Sequence, residues 1–127
     1  MLQPFLHILP SDLRGKGVFT SSTISKGTIL EIAPVIIMGS ADRILLDQTL
    51  LHDYIFEWGH EKSQCCVALG YVSIYNHSYT SNCEYEMDYE NNMIRIIAVR
   101  EISKGEEIFL NYNGDWNDES PVWFDVI

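Results

Sequence analysis

Basic residues are scarce in this chain: 8 Lys and Arg stand against 18 Asp and Glu, a formal net charge of −10 over 127 residues. That deficit argues against a free nucleic-acid partner, whose phosphates such a surface repels. It attracts a basic peptide or protein, and it serves solubility equally well. Cysteine is sparse, with Cys65 and Cys66 adjacent and Cys83 apart. This pattern suggests no disulfide framework; lacking Cys-x-x-Cys spacing, and with its four histidines scattered, the chain offers no metal site either. The cysteines read as small buried hydrophobes. No apolar run nears the roughly 20 residues of a membrane helix. Met1–Pro10 carries no basic region ahead of its short apolar stretch, so no secretory signal and no membrane partner are expected. The expected setting is the cytoplasm or another intracellular reducing compartment.

What is present is the composition of a globular domain, 46% hydrophobic and 20% charged, with a length that suits one core. We read residues 1–127 as a single domain. Short apolar segments broken by glycine and proline predict many short strands: Phe5–Leu9 stopped by Pro10, Val18–Thr20 after a turn at Asp12–Gly17, and Thr28–Ile32 ended by Pro34, with Pro34–Met38 continuing at an edge. Ala41–Leu51 is the best helical candidate, with Ser40 as N-cap and Ile44, Leu45 and Leu51 as its apolar face. Asp53–Trp58 and Cys65–Leu69 read as extended. Cys83–Glu90 alternates apolar and acidic residues with period two, the signature of a half-buried strand. Asn91-Asn92 turns it back into Met93–Val99 as a hairpin. After a turn at Ile102–Gly105, Glu107–Tyr112 forms the last strand. The fold class is mainly β, with little helix.

The stretch Ala68–Asn82 stands out, because an apolar approach ends abruptly in Asn76-His77-Ser78, with Asn82 beyond. Such a cluster must be satisfied internally or meet a ligand. Asn76-His77-Ser78 also fits a glycosylation sequon, which needs a secretory route that the N-terminus does not suggest.

Four pieces occur in order: Gly15-Lys16-Gly17-Val18-Phe19, Tyr54, Asn76-His77-Ser78 with Asn82, and Gly105-Glu106-Glu107-Ile108 leading to Tyr112. Each alone is weak, and Gly-x-Gly alone reads as a turn. Together, at these spacings, they resemble the SET-domain protein lysine methyltransferases, over roughly Gly15 to Trp116, at a length close to the small stand-alone viral and bacterial members. The resemblance implies several small antiparallel sheets with a C-terminal pseudoknot, which brings Asn76-His77 beside Tyr112. It implies S-adenosyl-L-methionine as cofactor and a basic, histone or histone-like protein as substrate, in the nucleus if the host is eukaryotic.

The resemblance also implies roles. Tyr112 is the catalytic tyrosine, and Tyr54 is assigned with it to the catalytic set while lining the cofactor site or the lysine channel. Gly15, Lys16, Gly17, Asn76 and His77 bind the cofactor. Tyr85, Leu110 and Tyr112 line the lysine channel, with Tyr85 and Leu110 tuning how many methyl groups fit. Glu107 is structural, although Glu106 and Glu107 read as a surface pair by charge alone. No cysteine-rich zinc segment like those flanking the domain in many family members is expected here and Tyr79 replaces a common cysteine, so Trp116, Trp123 and Phe124 are assigned to complete the channel and cofactor site, with simple packing as their alternative. The apolar Val122–Ile127 tail leaves a homodimer open. The alternative function is a non-catalytic SET-like module that binds peptides or partners.

Overall fold

The computed structural model describes residues 1–12, 15–60 and 63–112. Trp116, Trp123, Phe124 and the Val122–Ile127 tail lie outside the described residues. Among the described residues nine strands form two sheets: β1 (Leu6–Ser11), β2 (Gly15–Thr20), β3 (Ile29–Met38), β4 (Phe56–Trp58), β5 (Gln64–Ala68), β6 (Asn76–His77), β7 (Cys83–Asp88), β8 (Met93–Ala98) and β9 (Glu107–Leu110). The sheet orders are β1-β2-β9-β6 and β4-β5-β3-β8-β7. Residues of both sheets share one core, in which Val18, Leu30, Ile94, Ile96, Ile108 and Leu110 are fully buried.

The β7–β8 hairpin follows from its sequence. Cys83, Tyr85 and Met87 pack on the core, opposite the buried Ile94, Ile96 and Ala98 face of β8. The acidic alternates face outward, and Arg95 spans two of them, 2.7 Å from Glu86 and 3.0 Å from Asp88. Asp88 also accepts from Asn91 at the turn, and these bonds with Arg95 hold its carboxyl down at about 2.

The prolines do not end strands here. β1 runs through Pro10, which is paired with Lys16 at the outer edge of its sheet, where a missing donor is tolerated. β3 runs ten residues through Pro34. The Pro34 carbonyl accepts from Leu69 N–H, so its missing N–H faces the β5 side, just beyond the ladder that starts at Val35–Ala68. Gly15–Gly17 belong to β2 rather than to the turn.

The helix is also shorter than expected. α1 spans Ser40–Leu46 with Gly39 as N-cap and no side-chain cap, and a separate 3-10 turn follows over Leu50–Tyr54, capped by Thr49. Neither buries a residue. Ile44, Leu45 and Leu51, expected to supply one apolar face, are 62%, 64% and 44% exposed. Among the described residues no helix is long and apolar enough to cross a membrane.

The site depends on one non-local pairing. β6 lies parallel to β9, with Asn76 opposite Phe109 and His77 opposite Leu110. A parallel pair needs a crossover, and here the β7–β8 hairpin of the other sheet supplies it. The loop after β6 then clasps β9. Ser78 N–H donates to Leu110 O, while Asn82 receives from Phe109 N–H and donates to Glu107 O at 2.8 Å each. This crossing sets Asn76-His77 beside the end of β9, the juxtaposition that the expected pseudoknot requires.

Candidate active site

The two halves expected to meet do meet, although 35 positions separate them. His77 is buried, and its Nδ1 accepts a 3.0 Å hydrogen bond from the Tyr112 N–H. That bond makes Nδ1 the unprotonated nitrogen of a neutral ring. The His77 ring packs 4.6 Å from Tyr79 and 5.2 Å from Tyr112. Burial lowers the His77 pKa below its ordinary value.

This shift has a testable sign. Between the folded and the ordinary His pKa the unfolded chain binds the extra proton, so stability rises with pH there. The contribution is complete above about 6.5 and is lost as pH falls through the depressed folded value. Melting curves from pH 8 to pH 5 are expected to show a loss that His77→Gln reduces; equal pH dependence in the two proteins would exclude it.

Asn76 is held from two sides. Its Nδ2 donates to Lys16 O at 3.0 Å and to Glu107 Oε2 at 2.8 Å, and Glu107 Oε1 accepts from Ser11 Oγ at 2.6 Å. The amide is thereby fixed with Oδ1 as its remaining acceptor. Glu107 is therefore turned inward, unlike Glu106, which pairs with Arg100 at 3.4 Å and accepts from Ser103 N–H. The inward turn separates the expected surface pair, and sequence gave no signal of which acid turns in beyond the motif itself. Gly17 is buried against this clamp: a Cβ there would overlap Glu107 Oε2 and come 2.9 Å from Asn76 Nδ2. Gly15 has a φ of +75°, the left-handed region that favours glycine, with open space where a side chain would begin. The Lys16 side chain is exposed.

Tyr112 donates its hydroxyl proton to the Tyr75 carbonyl at 2.5 Å. Burial, then the neighbouring Tyr54 phenol and the Glu107 charge, push its pKa up to about 12, so it remains a phenol at neutral pH. Tyr54 is 45% exposed at the end of the 3-10 turn, whose position is fixed by Ser73 Oγ donating to Tyr54 O. Tyr85 lies edge-to-face with Phe56 and reaches the Tyr112 carbonyl at 3.5 Å. Leu110 is fully buried in the core beside His77. Thus Tyr54, Tyr85, Asn76, His77 and Tyr112 gather where β6 meets the end of β9. Among the described residues, no three His, Cys, Asp or Glu side chains are grouped to hold a metal ion.

Two β-sheets that share a core and carry Asn-His on a short parallel strand against the tyrosine that follows β9 define a class. The SET domain family profile matches residues 15–113, and the chain belongs to this family of protein-lysine methyltransferases. It is 32% identical over 121 residues to a Schizosaccharomyces pombe histone-lysine N-methyltransferase specific for lysine 37 of histone H3, covering 94% of this chain and 77% of that protein. A crystal structure of a candidate histone methyltransferase from Plasmodium falciparum superposes with a TM-score of 0.66 at 30% identity, covering 91% of this chain and 98% of that one. A ctPRC2 structure shares the fold at a TM-score of 0.71 and 20% identity, over 84% of this chain and 14% of that chain.

Proposed function

We propose that this methyltransferase uses S-adenosyl-L-methionine and acts on a lysine in a basic, histone or histone-like protein. The observation that carries the reading is the pairing of His77 with Tyr112 next to the Asn76 amide, which Lys16 O and Glu107 hold fixed. The residues fit the cofactor. Asn76 Oδ1 accepts no hydrogen bond among the described residues and is available to an ammonium group, Lys16 offers a charge to a carboxylate, and the open side of Gly15 admits close approach. His77, a neutral ring buried beside Tyr112, is assigned to the adenine side. Bound there, the cofactor supplies a methyl group activated by a sulfonium.

The chain's own residues prepare the acceptor. Only a neutral lysine amine has a lone pair, and its ordinary pKa is about 10.4. The aromatic walls of Tyr54, Tyr85 and Tyr112 disfavour the ammonium form by excluding water. Because the Tyr112 proton is committed to Tyr75 O, its oxygen meets a ligand as an acceptor and orients the amine N–H. Alignment and fixed dipoles then carry most of the acceleration, without a strong side-chain base. The net charge of −10 favours a Lys/Arg-rich partner, and the exposed Leu50 and Leu51 offer contacts to its apolar residues.

The test is incubation of the purified protein with methyl-labelled cofactor and a panel of histones and other basic proteins. Label is expected in lysine, and Asn76→Ala is expected to weaken cofactor binding about tenfold, or about 1.4 kcal/mol, by calorimetry. A wild-type protein that neither binds the cofactor nor labels any lysine would sink the proposal.

A further inference from the structure

A buried carboxyl group stands behind the site, one residue removed from Tyr112. Glu31 on β3 is 2% exposed. Its Oε1 accepts a 2.7 Å hydrogen bond from the Tyr75 hydroxyl, and its Oε2 accepts one of 2.8 Å from the Tyr71 N–H. Gly70 makes room for it, since a Cβ there would overlap Oε2. Tyr75 is itself fully buried, and its carbonyl takes the Tyr112 hydroxyl. An unbroken chain of bonds therefore runs from Glu31 through Tyr75 to Tyr112.

Stability alone does not call for a carboxyl group here. Burial raises the Glu31 pKa, against the lowering by its two hydrogen bonds, which marks the cost of the site. Apolar side chains filling the same volume commonly cost less than buried charged groups. What a doubly bonded carboxyl supplies is direction: it fixes the Gly70–Tyr75 turn at Tyr71 N–H and at the Tyr75 ring. The peptide carbonyl so held is the one on which the Tyr112 hydroxyl closes.

We propose that Glu31 is a positioning residue of the methyl-transfer site, acting on Tyr112 through Tyr75. The proposal rests on the role given to Tyr112 above. It assigns Glu31 no contact with the lysine or the cofactor.

A double-mutant cycle between Glu31→Gln and Tyr112→Phe tests it. Glu31→Gln is expected to lower kcat about tenfold while leaving the cofactor KM within about twofold. In the Tyr112→Phe background the same change is expected to cost less than about twofold, because the hydroxyl it positions is gone. Equal losses in both backgrounds would overturn the proposal and leave Glu31 a support of the fold. If Glu31→Gln fails to fold, Tyr75→Phe removes only the hydroxyl link and is expected to give the same pattern. A second readout needs no turnover: with ring-labelled tyrosine, the Tyr112 Cζ resonance is expected to move in the folded variant, and an unmoved resonance overturns the proposal. A wild-type protein that transfers no methyl would instead count against the functional reading, with the Tyr112 resonance still reporting on the coupling.

Discussion

Tyr112→Phe is expected to lower kcat for methyl transfer by about 10²- to 10³-fold, or about 3–4 kcal/mol, while the protein stays folded. The ring remains to pack against His77, whose bond is to the Tyr112 backbone N–H and not to the hydroxyl. Only the oxygen is lost. That oxygen is held 2.5 Å from Tyr75 O, so its orientation is set before any ligand arrives. Without it the amine loses a fixed acceptor and the pocket gains an unpaired carbonyl at Tyr75. Cofactor affinity should change little, which separates this variant from Asn76→Ala. Steady-state rates with calorimetry on the same preparations decide it: a kcat within about twofold of wild type would remove Tyr112 from the catalytic role. The pKa of about 12 adds a further expectation, that the pH–rate profile between 6 and 10 contains no step from Tyr112 ionisation.

What could be read beforehand depended on how local the cause was. The β7–β8 hairpin was legible because alternation over Cys83–Asp88 is a property of consecutive residues. Pro34 misled because its cost depends on which side of the strand carries the ladder, and that is set by distant partners, Leu69 and Asn92. The face of α1 misled because apolar spacing does not say whether a partner exists to cover it. Glu31 was invisible for a third reason. In Ile29-Leu30-Glu31-Ile32, strict alternation sends Leu30 and Glu31 to opposite faces, yet both are buried. The ladder to β8 is irregular between Ile29 and Glu31, and a bulge there inserts a residue and re-aims the side chains that follow. The meeting of Asn76-His77 with Tyr112 lies beyond any local pattern. It was accessible only through the ordered motifs, and the parallel β6–β9 pair supplies its physical cause.

Gly17→Ala distinguishes two reasons for the same glycine. If Gly17 served only to let a cofactor approach the backbone, an added methyl would weaken binding and leave stability unchanged. The geometry favours a different cause. The new Cβ would overlap Glu107 Oε2 and crowd Asn76 Nδ2 at 2.9 Å. Glu107 is not free to swing away, because Ser11 and Asn76 hold its two oxygens at 2.6 Å and 2.8 Å. Moving it breaks both bonds and releases the Asn76 amide. Overpacking of this kind costs about 1–3 kcal/mol, so a lower melting temperature and a cofactor affinity reduced about tenfold should appear together. Glu107→Ala in the same chain removes the overlapping carboxylate. It should return part of the stability lost to Gly17→Ala while leaving cofactor binding weak, since Asn76 remains unclamped. Stability loss without rescue would mean that the methyl meets something other than Glu107. Binding loss at unchanged stability would restore the simpler reading, in which the glycine faces the cofactor directly.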